Sequence, residues 1–144
     1  MSIDSPTGAD GTTRTQPESF RANALMASLT VKDLPTSVAW YRDVLGFTVE
    51  RQYERDGKLL GVALKAGVVQ ILLNQDDGAK GVDRAKGAGF SLQLTTSQNV
   101  DAIAARIKKA GYTLGSEPAD MPWGARVFRV QDPDGFRLAI SSER

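Results

Sequence analysis

The chain has 144 residues, 41% hydrophobic and 24% charged, enough for one domain with a sizeable core and too short for two ordinary ones. Its 18 Lys and Arg against 17 Asp and Glu leave a net charge of +1, which gives no broad attraction to nucleic acid or to an anionic membrane. Cys and His are both absent, so disulfides, thiolate nucleophiles, zinc–sulfur sites and imidazole bases are excluded, and any chemistry falls to carboxylates, Lys, Tyr, Ser, Thr, Arg or backbone groups.

Residues 1–24 are rich in Ser, Thr, Gly, Pro and Asp and carry only isolated apolar residues. Such a segment buries too little surface to offset its ordering entropy, and it is read as a flexible tail. It lacks the basic start and continuous apolar run of a secretory signal, and no stretch of the chain approaches the roughly 18 apolar residues of a membrane span. The expectation is a cytoplasmic protein without membrane or nucleic-acid partners. Residues 25–142 are expected to form one domain, in halves of about 25–76 and 89–142.

The first half opens on a strand ending in Leu29-Thr30-Val31, which alternates as a half-buried strand should. A helix follows, with Asp33 placed to cap it, Pro35 in its first turn, and Val38, Tyr41, Val44 and Leu45 on one apolar face before Gly46 ends it. Three strands are expected next, FTVERQYER, KLLGVALKA and VVQILLNQ, separated by the turn pairs Asp56-Gly57 and Ala66-Gly67. A polar, glycine-rich segment over residues 76–89 reads as a hinge.

The second half repeats this order. FSLQLTT is a strand, and NVDAIAARIKKAGY puts Val100, Ile103, Ala104 and Ile107 on one helical face, with Gly111 at the end. Strands are expected at Tyr112 to Leu114, Ala125 to Gln131 and Phe136 to Ser141, the last two joined by Asp132-Pro133-Asp134-Gly135, whose residues suit each position of a turn. The fold class is therefore α+β, two βαβββ modules, each a helix on a four-stranded sheet with its other face in need of a partner. Two such sheets facing each other would enclose a cleft for a small ligand.

The run SLTVKDLPTSVAWYRDVLGF resembles the opening of proteins of the glyoxalase/bleomycin-resistance/dioxygenase, or vicinal oxygen chelate, superfamily, and PWGARVFRVQDPDGFRLAI is similar to its closing strand pair. The resemblance spans about residues 25–142. It implies the fold more than the activity, because this fold hosts lyases, isomerases, dioxygenases, thiol transferases and drug-binding proteins. Metal-using members place one ligand on each of four strands. The corresponding positions here are Met26, Gln70, Gly89 (or Phe90, with a slip of one residue) and Ala139. A thioether, an amide and two positions without donors make a poor set for a hard divalent ion. The resemblance thus implies a metal-free protein with no cofactor, of the kind that binds or sequesters an antibiotic or another aromatic or amphipathic ligand, and that pairs as a homodimer. The alternative is a glyoxalase-like lyase, isomerase or dioxygenase with a relocated metal or a carboxylate base.

On this reading the ligand-binding residues are Met26, Ser28, Gln70, Leu72, Ser91, Gln93, Trp123 and Arg126. Strand alternation groups Met26 with Ser28, Gln70 with Leu72 and Asn74, and Ser91 with Gln93. Trp123 stands between Pro122 and Gly124, where its ring either covers a pocket or plugs the structure. Arg126 and Arg129 fall on opposite faces of one strand, and Arg126 is assigned to the cleft, where it would select a carboxylate, phosphate or planar π ligand. Trp40 is assigned to packing. Arg106 cannot act as a base, Lys108 and Lys109 serve the helix end, and Glu50, Glu54 and Glu117 read as surface charges.

Overall fold

A computed structural model describes residues 19–81 and 83–143, so most of the expected tail, residues 1–18, lies outside the described residues. The first module runs β1 (Met26–Val31), α1 (Leu34–Ala39), β2 (Thr48–Arg55), β3 (Lys58–Ala66) and β4 (Val69–Gln75). The second runs β5 (Ser91–Thr96), α2 (Val100–Lys109), β6 (Ser116–Asp120), β7 (Arg126–Gln131) and β8 (Arg137–Ser142). Each module closes one four-stranded mixed sheet, in the orders β1-β4-β3-β2 and β5-β8-β7-β6, with β1–β4 and β5–β8 parallel and the other pairs antiparallel. The βαβββ repeat read from the hydrophobic pattern is the observed topology. No helix among the described residues is long and apolar enough to cross a membrane.

The helices start where capping chemistry dictates. Asp33 accepts a bond from the Thr36 N–H at 3.4 Å, and Asn99 accepts one from Ala102 at 3.0 Å. The first helix does not stay α-helical to Gly46. It widens after Ala39 into a π-helical turn, Trp40–Val44, that buries Trp40, Tyr41 and Val44 together. With about 4.4 residues per turn, positions 40 and 44 come into line, so the widening lets three large side chains share the inward face. Gly46 then takes a positive φ of 87°, which the reversal into β2 requires.

One further expectation is corrected. Tyr112 to Leu114 form an extended connection that buries Leu114, and the third strand of the second module lies later, at Ser116–Asp120. Pro118 and two acids give this segment the composition of a loop. It is an edge strand, where a missing N–H is tolerated, and its pairing with β7 shifts register between Ser116 and Ala119.

The core is shared. One continuous cluster joins Leu29, Val31, Val62, Leu64, Ile71 and Leu73 of the first sheet, the inward faces of both helices, and Phe128, Val130, Leu138 and Ile140 of the second sheet. Burial of each large side chain contributes about 1.5–3 kcal/mol. The helix-covered faces of the two sheets therefore meet through α1 and α2, and the two uncovered faces turn away from that core.

A polar seam fastens the modules to each other. Lys86, in the connection between them, lies 2.8 Å from Asp76 Oδ2 at the end of β4 and 3.4 Å from Asp134 Oδ2 in the β7–β8 turn, with all three side chains no more than 6% exposed. Asp134 Oδ2 also accepts the Lys32 backbone N–H at 2.8 Å. Nearby, Tyr41 Oη donates to Asp132 Oδ2 at 2.8 Å, and Asp132 Oδ1 accepts the N–H groups of Asp134 and Phe136, each at 2.9 Å. A buried charge is tolerated only when paired and hydrogen-bonded in this way.

Candidate functional site

On the uncovered face of the first sheet, the parallel register of β1 and β4 sets Met26 opposite Gln70 and Ser28 opposite Leu72, so four of the expected residues stand side by side. Asn74 Nδ2 donates to Ser28 Oγ at 2.8 Å. Gln70 Nε2 donates to Glu50 Oε1 at 2.7 Å, and Lys65 Nζ lies 3.8 Å from Glu50 Oε2. Glu50, read as a plain surface charge in the sequence, reaches this face at a register shift of β2 between Val49 and Arg51. A bulge of that kind leaves no mark in the hydrophobic pattern.

On the uncovered face of the second sheet, β5 and β8 set Ser91 opposite Arg137 and Gln93 opposite Ala139, while β7 sets Arg129 opposite Ala139. Ser91, Gln93, Arg129 and Arg137 thus share one face. A hollow of about 290 Å³ opens there, lined by Gly89, Phe90, Ser91, Arg129, Arg137 and Ala139. Beside it lies an apolar floor of Ala125, Val127 and Ala139, packed under Met121. Among the described residues neither Arg129 nor Arg137 has an ion-pair partner.

The assignment of Arg126 to the cleft is overturned. Its guanidinium grips Asp101 in the first turn of α2 in bidentate fashion, at 2.8 Å and 2.9 Å, and reaches Asp120 at 3.1 Å. Arg126 therefore lies on the helix side of β7, where it ties the strand to α2 and holds the Asp101 carboxyl below its ordinary value through these hydrogen bonds. Arg129, three residues on, takes the opposite face. The pairing of position 129 with 139 is set by a three-residue connection, 133–135, which Asp132 and Phe136 flank, whereas the turn tetrapeptide at 132–135 alone would have paired 129 with 138.

Trp123 sits in the turn between β6 and β7, which the Gly124 N–H closes on the Met121 carbonyl at 2.9 Å. Its ring is 52% exposed, so it is not a core plug. The same hairpin carries Met121 over the apolar floor of the second sheet. Trp40, by contrast, is buried and packs edge-on against Tyr41 and Tyr112.

A larger hollow, about 520 Å³, lies in the seam between the modules, bordered by Leu45, Phe47, Val68, Leu94, Ile103 and Glu143. It is bordered mostly by helix ends and strand ends, with Glu143 its one ionisable lining group, and it brings together none of the expected site residues. The uncovered sheet faces hold the polar side chains that could orient a ligand.

The divalent ion of the metal-using relatives does not fit these residues. The corresponding positions offer the Met26 thioether, a Gln70 amide already engaged with Glu50, and the donor-free Gly89 and Ala139. No group of three or more Asp or Glu stands together among the described residues.

A family model described as the glyoxalase/bleomycin resistance protein/dioxygenase superfamily matches residues 23–140. An uncharacterized protein of Mycobacterium bovis is 29% identical over 124 residues, 81% of each chain. Among solved structures, a glyoxylase/bleomycin resistance protein/dioxygenase domain from Frankia sp. EAN1pec superposes with a TM-score of 0.72 at 22% identity, covering 87% of this chain and 100% of its own. TioX from Micromonospora sp. ML1 does so with a TM-score of 0.68 at 22% identity, covering 85% of this chain and 100% of its own. With a family model spanning nearly all of both modules and these structures sharing their topology, the chain belongs to the glyoxalase/bleomycin resistance protein/dioxygenase superfamily.

Proposed function

We propose that this protein is a metal-free binder of a small aromatic or amphipathic molecule, of the bleomycin-resistance type, and that its clefts are completed when two copies pair. The observation that carries the reading is the replacement of the family's ligand positions by Met26, Gln70, Gly89 and Ala139. Without an ion, the polarisation of paired substrate oxygens loses its electrophile, while shape and apolar contact survive. Pairing follows from the shared core: with helix faces spent on each other, each uncovered sheet face finds its cover on a second copy. In that arrangement Met26, Ser28, Gln70 and Leu72 of one copy confront Ser91, Gln93 and Trp123 of the other.

Elemental analysis joined to a binding titration tests this. Purified protein dialysed against EDTA should bind 8-anilinonaphthalene-1-sulfonate saturably, with energy transfer from Trp123, and the affinity should not change when zinc, nickel, iron or manganese is restored. About one equivalent of retained metal per chain, or binding that requires it, overturns the reading.

A further inference from the structure

Two guanidinium groups without an ion-pair partner among the described residues border the hollow on the second sheet, with no carboxylate among its lining residues. Arg137 lies two residues before Ala139 on β8, and Arg129 pairs with Ala139 across β7, so the two side chains are diagonal neighbours on one face. Diagonal positions in an antiparallel pair are about 7–8 Å apart at their Cα atoms, within mutual reach of long side chains. Two arginines so placed repel each other with nothing between them, and a shared anion relieves that repulsion. Ser91 and Gln93, on the same face, are neutral and can donate hydrogen bonds. On the first sheet the Glu50 carboxylate is already matched by Lys65 at 3.8 Å, so a cleft built from both faces keeps an excess of positive charge. Next to the arginines stands the apolar floor of Ala125, Val127 and Ala139 under Met121.

We infer that the ligand bears an oxyanion, carboxylate or phosphate, on an apolar body, with Arg129 and Arg137 gripping the oxyanion and the Met121 floor receiving the body. This rests on the binding reading above and names the chemical class of its ligand. Ser91 and Gln93 complete the hydrogen bonds, and Arg126, engaged with Asp101 and Asp120, takes no part.

Isothermal titration with three probes sharing one ring system, 1-naphthyl phosphate, 1-naphthoate and neutral 1-naphthol, separates the alternatives. At least one anionic probe should bind about 10-fold or more tightly than 1-naphthol, as a charge-assisted bidentate contact provides. Whichever of the phosphate and the carboxylate binds more tightly identifies the oxyanion. The Arg129→Ala/Arg137→Ala double variant should lose the preference while keeping its Tm, because both side chains are exposed, and Arg126→Ala should retain it. Equal affinity for all three probes, or a preference that survives in the double variant, overturns the anion inference and leaves the binding reading standing. If none of the three binds, the binding reading falls and the inference with it.

Discussion

Trp123 and Trp40 divide the aromatic work of the chain, and their surroundings predict opposite phenotypes. Trp123 is 52% exposed in a Pro/Gly-flanked turn, and Trp40 is 2% exposed beneath Tyr41 and Tyr112. Trp123→Ala should weaken binding of 8-anilinonaphthalene-1-sulfonate by about 1–3 kcal/mol with Tm unchanged. Trp40→Ala should cost about 3–5 kcal/mol of stability, read from urea unfolding, and affect affinity only through the fold. An unchanged affinity in the Trp123 variant would take that ring out of the site. At this scale the sequence was legible where alternation alone decides: Met26 shares a face with Ser28, and Gln70 with Leu72 and Asn74, as expected, and the pairing of β1 with β4 then sets the two groups side by side. It misled at Arg126, because parity shows that 126 and 129 oppose each other without saying which faces the helix. Ala139 has Arg129 as its register partner, but the three-residue connection that sets this pairing is not the one the turn tetrapeptide announces. Glu50 was missed because a bulge delivers it to the face.

Among the elements, the β7–β8 turn does more than reverse the chain. Asp132 holds the turn through two N–H groups and receives the Tyr41 hydroxyl from α1's π-helical extension, so this one carboxylate joins the second module to the first. Burial pushes its carboxyl above the ordinary value, and the bonds from Tyr41, Phe136 and Asp134 offset part of the rise. The folded chain then holds that proton more tightly than the unfolded chain. Its contribution is complete below the unfolded-state value and is lost as pH rises through the raised folded value. Asp76 behaves oppositely: the hydrogen bond to Lys86 and that from the Gly78 N–H push its carboxyl down to about 2. Its contribution is present above the ordinary carboxylate range and is lost as pH falls toward about 2. The urea midpoint should therefore fall on raising the pH through the Asp132 titration. Asp132→Asn, which keeps an acceptor for both N–H groups, should flatten that fall while leaving the acid-side loss intact. A wild-type slope in the Asn variant would assign the dependence elsewhere. None of these partnerships was legible in the sequence: the turn residues at 132–135 announced a turn, but a Tyr 91 positions away leaves no local pattern. The strand at Ser116–Asp120 was missed because edge strands tolerate the proline and acids that elsewhere mark loops.

For the whole molecule, the topology was legible because both modules show the same alternation of periods, and the mutual placement of the modules was not, because helix faces look alike whether they pack within a chain or between chains. The shared core decides it. Sedimentation equilibrium at tens of micromolar should give a dimer, and a charge introduced on an uncovered face, Gln93→Glu, should weaken it without lowering the Tm of the isolated chain. A monomer that binds the naphthyl probes with full affinity would instead confine the site to one sheet face. The seam of Lys86, Asp76 and Asp134 also bears on how a ligand gets in. Buried ions anchored on the end of β4, the connecting segment and the β7–β8 turn penalise any swing of one module against the other, since separating them would strand a charge in the interior. Each chain consequently moves as one piece. On the proposed pairing, admission and release of a ligand would be gated by the sliding or parting of two rigid copies, so residence time in the cleft should track the lifetime of the pair.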